Sequence, residues 1–177
     1  DNVRAITNDG TAFGNIGRIY EEVNCYRPWG GVWQSIPELN TGRGETLLTA
    51  NADGTLLGGY IMDDINKNLA RPWVWSKKED IYEVELLPFP LEEQEGDEIA
   101  WCRVDKMTPN GEVLMGVYRI AGVTTSVFPI VWRKTDIGYE YELVFEEYIY
   151  EGNGGRNQLH SLEGVYSDIN ATGKYLT

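Results

Sequence analysis

The chain of 177 residues contains two cysteines, one histidine and no apolar run long enough to cross a membrane. Two thiols cannot build a disulfide-dense scaffold. No C-x-x-C pair occurs and His160 stands alone, so no metal site and no cofactor are expected. A membrane helix needs roughly 18 apolar residues in succession, and no segment approaches that, so no membrane span is expected. Basic residues are outnumbered, 15 Lys and Arg against 28 Asp and Glu, and the net charge of −13 argues against a nucleic-acid partner because it repels phosphate backbones. No stretch carries a helical period. The apolar fraction of 42% is enough for a core and argues against wholesale disorder.

The chain opens at Asp1 with neither Met nor a basic-then-apolar leader, which suggests a removed signal peptide or an internal start. Cys25 and Cys102 read as buried structural thiols, Cys102 within the strand-like run Ala100-Trp101-Cys102-Arg103-Val104. A disulfide between them stays open as an alternative.

Self-similarity organises the rest. Val3 to Gly14, Leu47 to Gly58 and Cys102 to Gly116 each read as an apolar strand, a polar turn and a second strand carrying Gly. Each turn ends in Gly: Asn8-Asp9-Gly10, Ala52-Asp53-Gly54, Pro109-Asn110-Gly111 and, in a fourth partial copy, Ala171-Thr172-Gly173. Gly supplies the positive φ that such turns require. Gly14, Gly58 and Gly116 fall inside the second strand, where they need another backbone or a large ring packed close. A third strand then ends in Val-Trp: Arg27-Pro28-Trp29-Gly30-Gly31-Val32-Trp33, Arg71-Pro72-Trp73-Val74-Trp75 and Phe128-Pro129-Ile130-Val131-Trp132. Trp33, Trp75 and Trp132 are the expected rings. A fourth alternating run follows, as Ser35-Ile36-Pro37-Glu38-Leu39, Ile81-Tyr82-Glu83-Val84-Glu85-Leu86 and Tyr139-Glu140-Tyr141-Glu142-Leu143-Val144-Phe145. Strict period-two alternation predicts half-buried strands with one wet, acidic face. The acidic, Pro-containing stretch 88–98 reads as a solvated loop between units.

The expected fold is therefore all-β and β-propeller-like, with about three and a half four-stranded antiparallel blades in a single array. The units are 1–44, 45–97, 98–158 and a partial 159–177. Propellers use about 4–8 blades, so the reading implies a fragment or an incomplete ring, completed by flanking blades of a longer chain or by another subunit. The alternative is a β-sandwich in which the similarity extends no further than hairpins.

The pattern carried by Ile6-Thr7-Asn8-Asp9-Gly10, Pro72-Trp73-Val74-Trp75, Leu86-Leu87-Pro88 and Ile169-Asn170-Ala171-Thr172-Gly173 resembles the repeats of extracellular HAF-type proteins. It covers nearly the whole chain outside 146–155. The third unit departs from it, with one extra residue before Gly116 and Ile130 where Trp73 stands. The resemblance implies a bacterial protein that is secreted, periplasmic or on the cell surface, and supplies no catalytic residue.

No catalytic constellation is legible. His160 is read as a surface residue after the Gly152-Asn153-Gly154-Gly155 turn, which lacks the Lys-Ser/Thr of a phosphate loop. Glu146-Glu147 and Asp63-Asp64 are dense acidic spots, but neighbours on a strand point to opposite faces. Asp64-x-Asn66-x-Asn68 echoes half a calcium loop without its Gly or distal Glu. Surface binding is what remains. Trp29, Trp73 and Trp101 exceed one Trp per unit, and Arg27 and Arg71 precede the repeated Pro. Rings with a polar handle, together with Arg, suit recognition of a protein or glycan; the competing role is filling space between blades. The expectation is a non-catalytic extracytoplasmic binding module. The alternatives are a carbohydrate-active enzyme using paired carboxylates or a purely structural domain of a larger exported protein.

Overall fold

A computed structural model describes residues 2–17, 22–64, 69–89, 99–120 and 127–143, with two short strands at 149–150 and 158–159. It is all-β. Strands β1 (Asn2–Ile6), β2 (Ala12–Ile16), β3 (Val23–Arg27) and β4 (Gln34–Ser35) form one antiparallel meander. A 3-10 turn, Pro37–Leu39, leads to the second meander, β5 (Glu45–Ala50), β6 (Leu56–Asp64), β7 (Leu69–Lys78) and β8 (Ile81–Leu86). The third comprises β9 (Ile99–Met107), β10 (Val113–Ile120), β11 (Phe128–Thr135) and β12 (Gly138–Leu143). A single parallel bridge, Ala70 with Trp101, joins the second meander to the third. β13 (Ile149–Tyr150) pairs with β14 (Gln158–Leu159). Three meanders thus stand where three full units are expected, and the described strands close neither a barrel nor a ring. The partial fourth unit, His160 and the Glu146-Glu147 pair lie outside the described residues, as does most of the 88–98 loop.

The turns repeat in detail because one local device recurs. Asp9, Asp53 and Asn110 each accept, through Oδ1, the backbone N–H two residues on, from Thr11, Thr55 and Glu112. Gly10, Gly54 and Gly111 follow them with φ of 82°, 73° and 73°, the left-handed conformation expected of a terminal Gly. Neighbouring turns are tied in series. Asn8 N–H donates to Ala52 O at 2.7 Å, and Ala52 N–H to Pro109 O at 2.9 Å. The second and third units also share a strand-to-turn bond. Tyr82 OH donates to Gly54 O and Tyr139 OH to Gly111 O, both at 2.6 Å and both across 28 residues.

Strand register corrects part of the sequence alignment. β1, β5 and β9 each skip a residue against the next strand, and past that bulge Val3, Leu47 and Val104 pair with Gly14, Gly59 and Gly116. A Cβ on any of these three glycines would overlap a backbone carbonyl oxygen, that of Asn2, Thr46 or Arg103. Gly59, not Gly58, is therefore the counterpart of Gly116; the third unit holds no extra residue relative to the second, and both are one residue longer than the first between turn and glycine. Backbone is the close neighbour at all three positions; at Gly116 the Trp132 ring is a second, 3.0 Å from where a Cβ would sit.

From these glycines outward, Trp75 pairs with Leu57, Trp132 with Leu114, and Arg27 with Ala12. Trp33 thus lies off the repeat. The run from Arg27 to Trp33 is not a third strand, because β3 ends at Arg27 and the chain turns at Trp29-Gly30. The fourth run of the first unit is also shorter than expected. β4 has two residues, and Pro37 carries the chain into the 3-10 turn.

Each meander has a front face, holding Leu57 and Trp75 or their counterparts, and a back face one residue out of phase. Front packs on back. Leu47, Leu57, Ile61 and Trp75 of the second unit bury against Phe13 of the first, with Ile36 and Leu39 closing the layer. Cys102, Val104, Leu114, Ile130 and Trp132 of the third bury against Leu56, Val74 and Leu87 of the second. Alternation along the strands supplies both faces, as burial of a sheet between neighbours requires. Both cysteines are buried and free, so the buried-thiol reading stands and no disulfide links them.

The first junction also carries a polar clasp. Asn24 is buried and donates to Leu39 O and Glu45 O, while its Oδ1 accepts from Asn15 Nδ2 and Leu47 N–H. Satisfying every polar atom makes such a group tolerable inside a core. The outer strands are wetter than alternation predicts. Glu83, Glu85, Glu140 and Glu142 are exposed as expected, but so are Val84, Leu86, Tyr141 and Leu143 on the other face.

Candidate functional site

The front face of the first unit is the one front face that no described meander covers. Its register positions are filled differently from those of the other two units. Where Trp75 and Trp132 are fully buried, Arg27 is exposed. Ile6, which pairs with Ala12 beside Arg27, is 68% exposed, and Val3 and Val23 are also open to solvent.

The turn after β3 adds rings to this face. Pro28 O accepts from Gly31 N–H at 2.9 Å, and Gly30 takes φ 70°. Gly with positive φ at the third position is the chemistry of a tight turn. The turn puts Trp29 at its corner. There the indole lies against the β1–β2 turn, where a Cβ on Gly10 would sit 3.2 Å from Trp29 Cε3, yet the residue is 85% exposed. Beyond the turn the chain returns to pair β4 with β3, and the Trp33 ring comes under the Arg27 guanidinium, 5.3 Å from its centre. A guanidinium at that distance is held by the ring quadrupole. Among the described residues no carboxylate pairs with Arg27. At the same end of the unit, Thr7 OH and then the Thr11 backbone and hydroxyl hold the Asp9 carboxyl below its ordinary value.

Of the residues singled out from sequence, Trp29 and Arg27 come together here. The other three do not join them. Trp73 is partly buried in the layer between the first and second units. Arg71 lies over the Phe89 ring at 5.0 Å. Trp101 lines a small cavity of about 130 Å³ with Tyr60, Met62, Ala70 and Arg103, whose guanidinium stacks on it at 4.9 Å. Space-filling between units is thus the part Trp73 plays, and Trp29 plays none of it.

Trp33, Ile6, Val3 and Val32 belong to the surface and were not singled out as binding residues. The signal for Trp33 was present but misread. Gly30-Gly31 directly before it marks a turn, which removes it from any strand end. The acidic spot Asp63-Asp64 closes β6, and Asn66 and Asn68 of the half calcium loop lie outside the described residues. Comparison with family models, curated proteins and solved structures finds no match to the chain.

Proposed function

We propose that this chain is a non-catalytic, extracytoplasmic binding module of propeller type, and that it engages a protein or a glycan through the outer face of its first unit. The observation that carries the proposal is Trp29, 85% exposed at a turn corner, beside an Arg27–Trp33 stack and the open Ile6. Exposed apolar patches of this kind mark interaction sites on soluble proteins, and Trp with Arg dominates the energetics of recognition surfaces. Rings fixed by a turn and a cation–π contact lose little freedom on binding. The serial stacking of front face on back face supports the propeller-type arrangement, and the resemblance to HAF-type repeats supports an exported bacterial protein.

Binding of immobilised glycans and of candidate partner proteins tests this reading, with the wild-type chain compared with Trp29→Ala and Arg27→Ala. Each substitution is expected to weaken capture at least about tenfold, the loss of a central aromatic or Arg anchor. Thermal unfolding should change little, because both side chains are exposed. Ligand capture that neither variant disturbs, or catalytic turnover of the captured molecule, would overturn the proposal.

A further inference from the structure

The outer strands of the second and third units part where β8 and β12 face each other, leaving a groove of about 810 Å³ lined by Glu85, Leu86, Phe89, Ile137, Tyr139 and Tyr141, among others. That volume lies within the range of about 300–1,000 Å³ typical of ligand clefts. The groove continues the second inter-unit layer outward. Glu85 is on the back face of β8, opposite Val74. Tyr139 and Tyr141 are on the front face of β12, in phase with Trp132.

Comparison of the two junctions shows what leaves this space open. At the first, the 3-10 turn Pro37–Leu39 folds against β8, and Leu39 is completely buried. At the second, register places Pro88 where Pro37 stands, but residues 87–89 form no helical turn. Pro88 O instead accepts from the Trp132 indole N–H at 2.5 Å. Among the described residues, the filling element of the first junction thus has no counterpart at the second. An apolar side chain then stands exposed beside the gap. Ile137 is at the tip of the β11–β12 hairpin, 90% exposed, where the second unit has Asp80. Hairpin tips favour polar residues or Gly, so folding alone gives no reason for Ile there.

We propose that this groove binds a short extended peptide segment that carries a Lys or Arg next to an aliphatic side chain. The charge argument is local. Glu83 is held by Lys78 and Glu142 by Arg133, whereas Glu85 forms no ion pair or hydrogen bond among the described residues; the cation that feels its charge, Lys78, is bonded to Glu83 instead. Its carboxylate reaches β12, where a Cβ on Gly138 would lie 3.9 Å from Glu85 Oε1. A carboxylate beside two tyrosine rings is a site for a cation, attracted by the charge and by the ring faces together. The chain's net charge of −13 favours approach of a basic ligand. Leu86, Phe89 and Ile137 supply the aliphatic contact. A glycan fits less well. The side-chain polar groups of the groove are Glu85 and two tyrosine hydroxyls, and that of Tyr139 is already spent on Gly111 O, which leaves too few groups to meet a ring of sugar hydroxyls.

The test is a titration of the intact chain, followed by NMR, with a blocked tetrapeptide of alternating leucine and lysine. A second peptide has glutamine in place of lysine, and a chito-oligosaccharide serves as the glycan arm. The basic peptide is expected to shift the amides of β8 and β12 and to bind about three- to fivefold more weakly to Glu85→Gln or Tyr141→Ala, the loss of one exposed cation contact. Glu140→Gln removes the same charge from the opposite face of β12 and should leave binding within twofold. Added salt should weaken the complex. Equal binding of the glutamine peptide, preferential binding of the oligosaccharide, equal weakening by Glu140→Gln, or shifts confined to the first unit would overturn the proposal. The last result would leave the surface around Trp29 standing, so the two readings fail separately.

Discussion

Trp75 and Trp132 hold the same register position and are both completely buried, yet their indole nitrogens fare differently. Trp132 Nε1 donates to Pro88 O. Trp75 Nε1 has no acceptor among the described residues. The cause is visible in the segment opposite. Pro37 takes the place of Pro88, and its carbonyl already accepts from Asn40 N–H at 3.1 Å to close the 3-10 turn. A buried donor left without a partner costs about 1–3 kcal/mol. Trp75→Phe removes that donor as well as ring volume, whereas Trp132→Phe breaks a made hydrogen bond. Urea unfolding should therefore find Trp132→Phe more destabilising than Trp75→Phe by about 1–2 kcal/mol. Equal losses would mean that the indole nitrogen of Trp75 is satisfied in solution. A sequence in which Pro37 and Pro88 each follow an aliphatic residue cannot show this, because the difference arises one turn later, in whether the carbonyl is consumed locally.

At the scale of the element, the strand-to-turn bonds of Tyr82 and Tyr139 anchor each outer strand to its own Asx turn. Burial first, and then nearby acidic charge, pushes both phenols up to about 12. The neutral form is thus favoured by folding. The stabilisation is fully present below the unfolded value of about 10 and is lost as pH rises through about 12, because the deprotonated oxygen can no longer donate. The double variant Tyr82→Phe with Tyr139→Phe should be less stable at neutral pH by roughly 0.5–1.5 kcal/mol per bond. Its stability should also fall less steeply than that of the wild type above about pH 10. Urea midpoints measured across that range check both parts, and an unchanged alkaline slope would count against the bonds. These elements were largely legible in the sequence. Tyr82 and Tyr139 open strictly alternating runs, and the Gly-terminated turns are local signals, so the strand order of the second and third units is legible in the sequence, though the register that sets Gly59 rather than Gly58 opposite Leu47 is not. The first unit was not. Its Arg27-Pro28-Trp29 mimics Arg71-Pro72-Trp73, but pairing with Ala12 puts Arg27 itself at the register position of Trp75. The first hairpin is one residue shorter from turn to glycine, Gly10 to Gly14 against Gly54 to Gly59, and a likeness of tripeptides does not show that. The groove between β8 and β12 was equally hidden, since it depends on the separation of two outer strands far apart in the chain. Trp29 and Arg27 were found because composition singles them out, and Trp73 was grouped with them for the same reason although packing consumes it.

On the scale of the whole molecule, the two apolar layers are separate. One lies between the first and second units and contains Trp75; the other lies between the second and third and contains Trp132. The second unit belongs to both, with Leu57 facing one way and Leu56 the other. Stability in such a stack is close to a sum of nearest-neighbour terms, which makes the damage from a cavity directional. Replacing a buried Trp by Ala costs about 3–5 kcal/mol. Trp132→Ala should release amide protons in β9 to β12 while leaving β1 to β3 protected, and Trp75→Ala should loosen β1 to β3 while sparing β10 and β11. Trp33→Ala should cost no more than about 1 kcal/mol, the scale of a partly exposed ring resting on a guanidinium. Hydrogen exchange resolved by strand measures all three. The turn-to-turn bonds give an internal standard, because the Asn8 and Ala52 amides, which donate across the junctions, should exchange more slowly than those of Asp9 and Asp53 beside them. Uniform loss of protection over all three units from either buried Trp would mean one cooperative core rather than two. A cost at Trp33 equal to that at Trp75 would restore the alignment that the pairing of Arg27 with Ala12 contradicts.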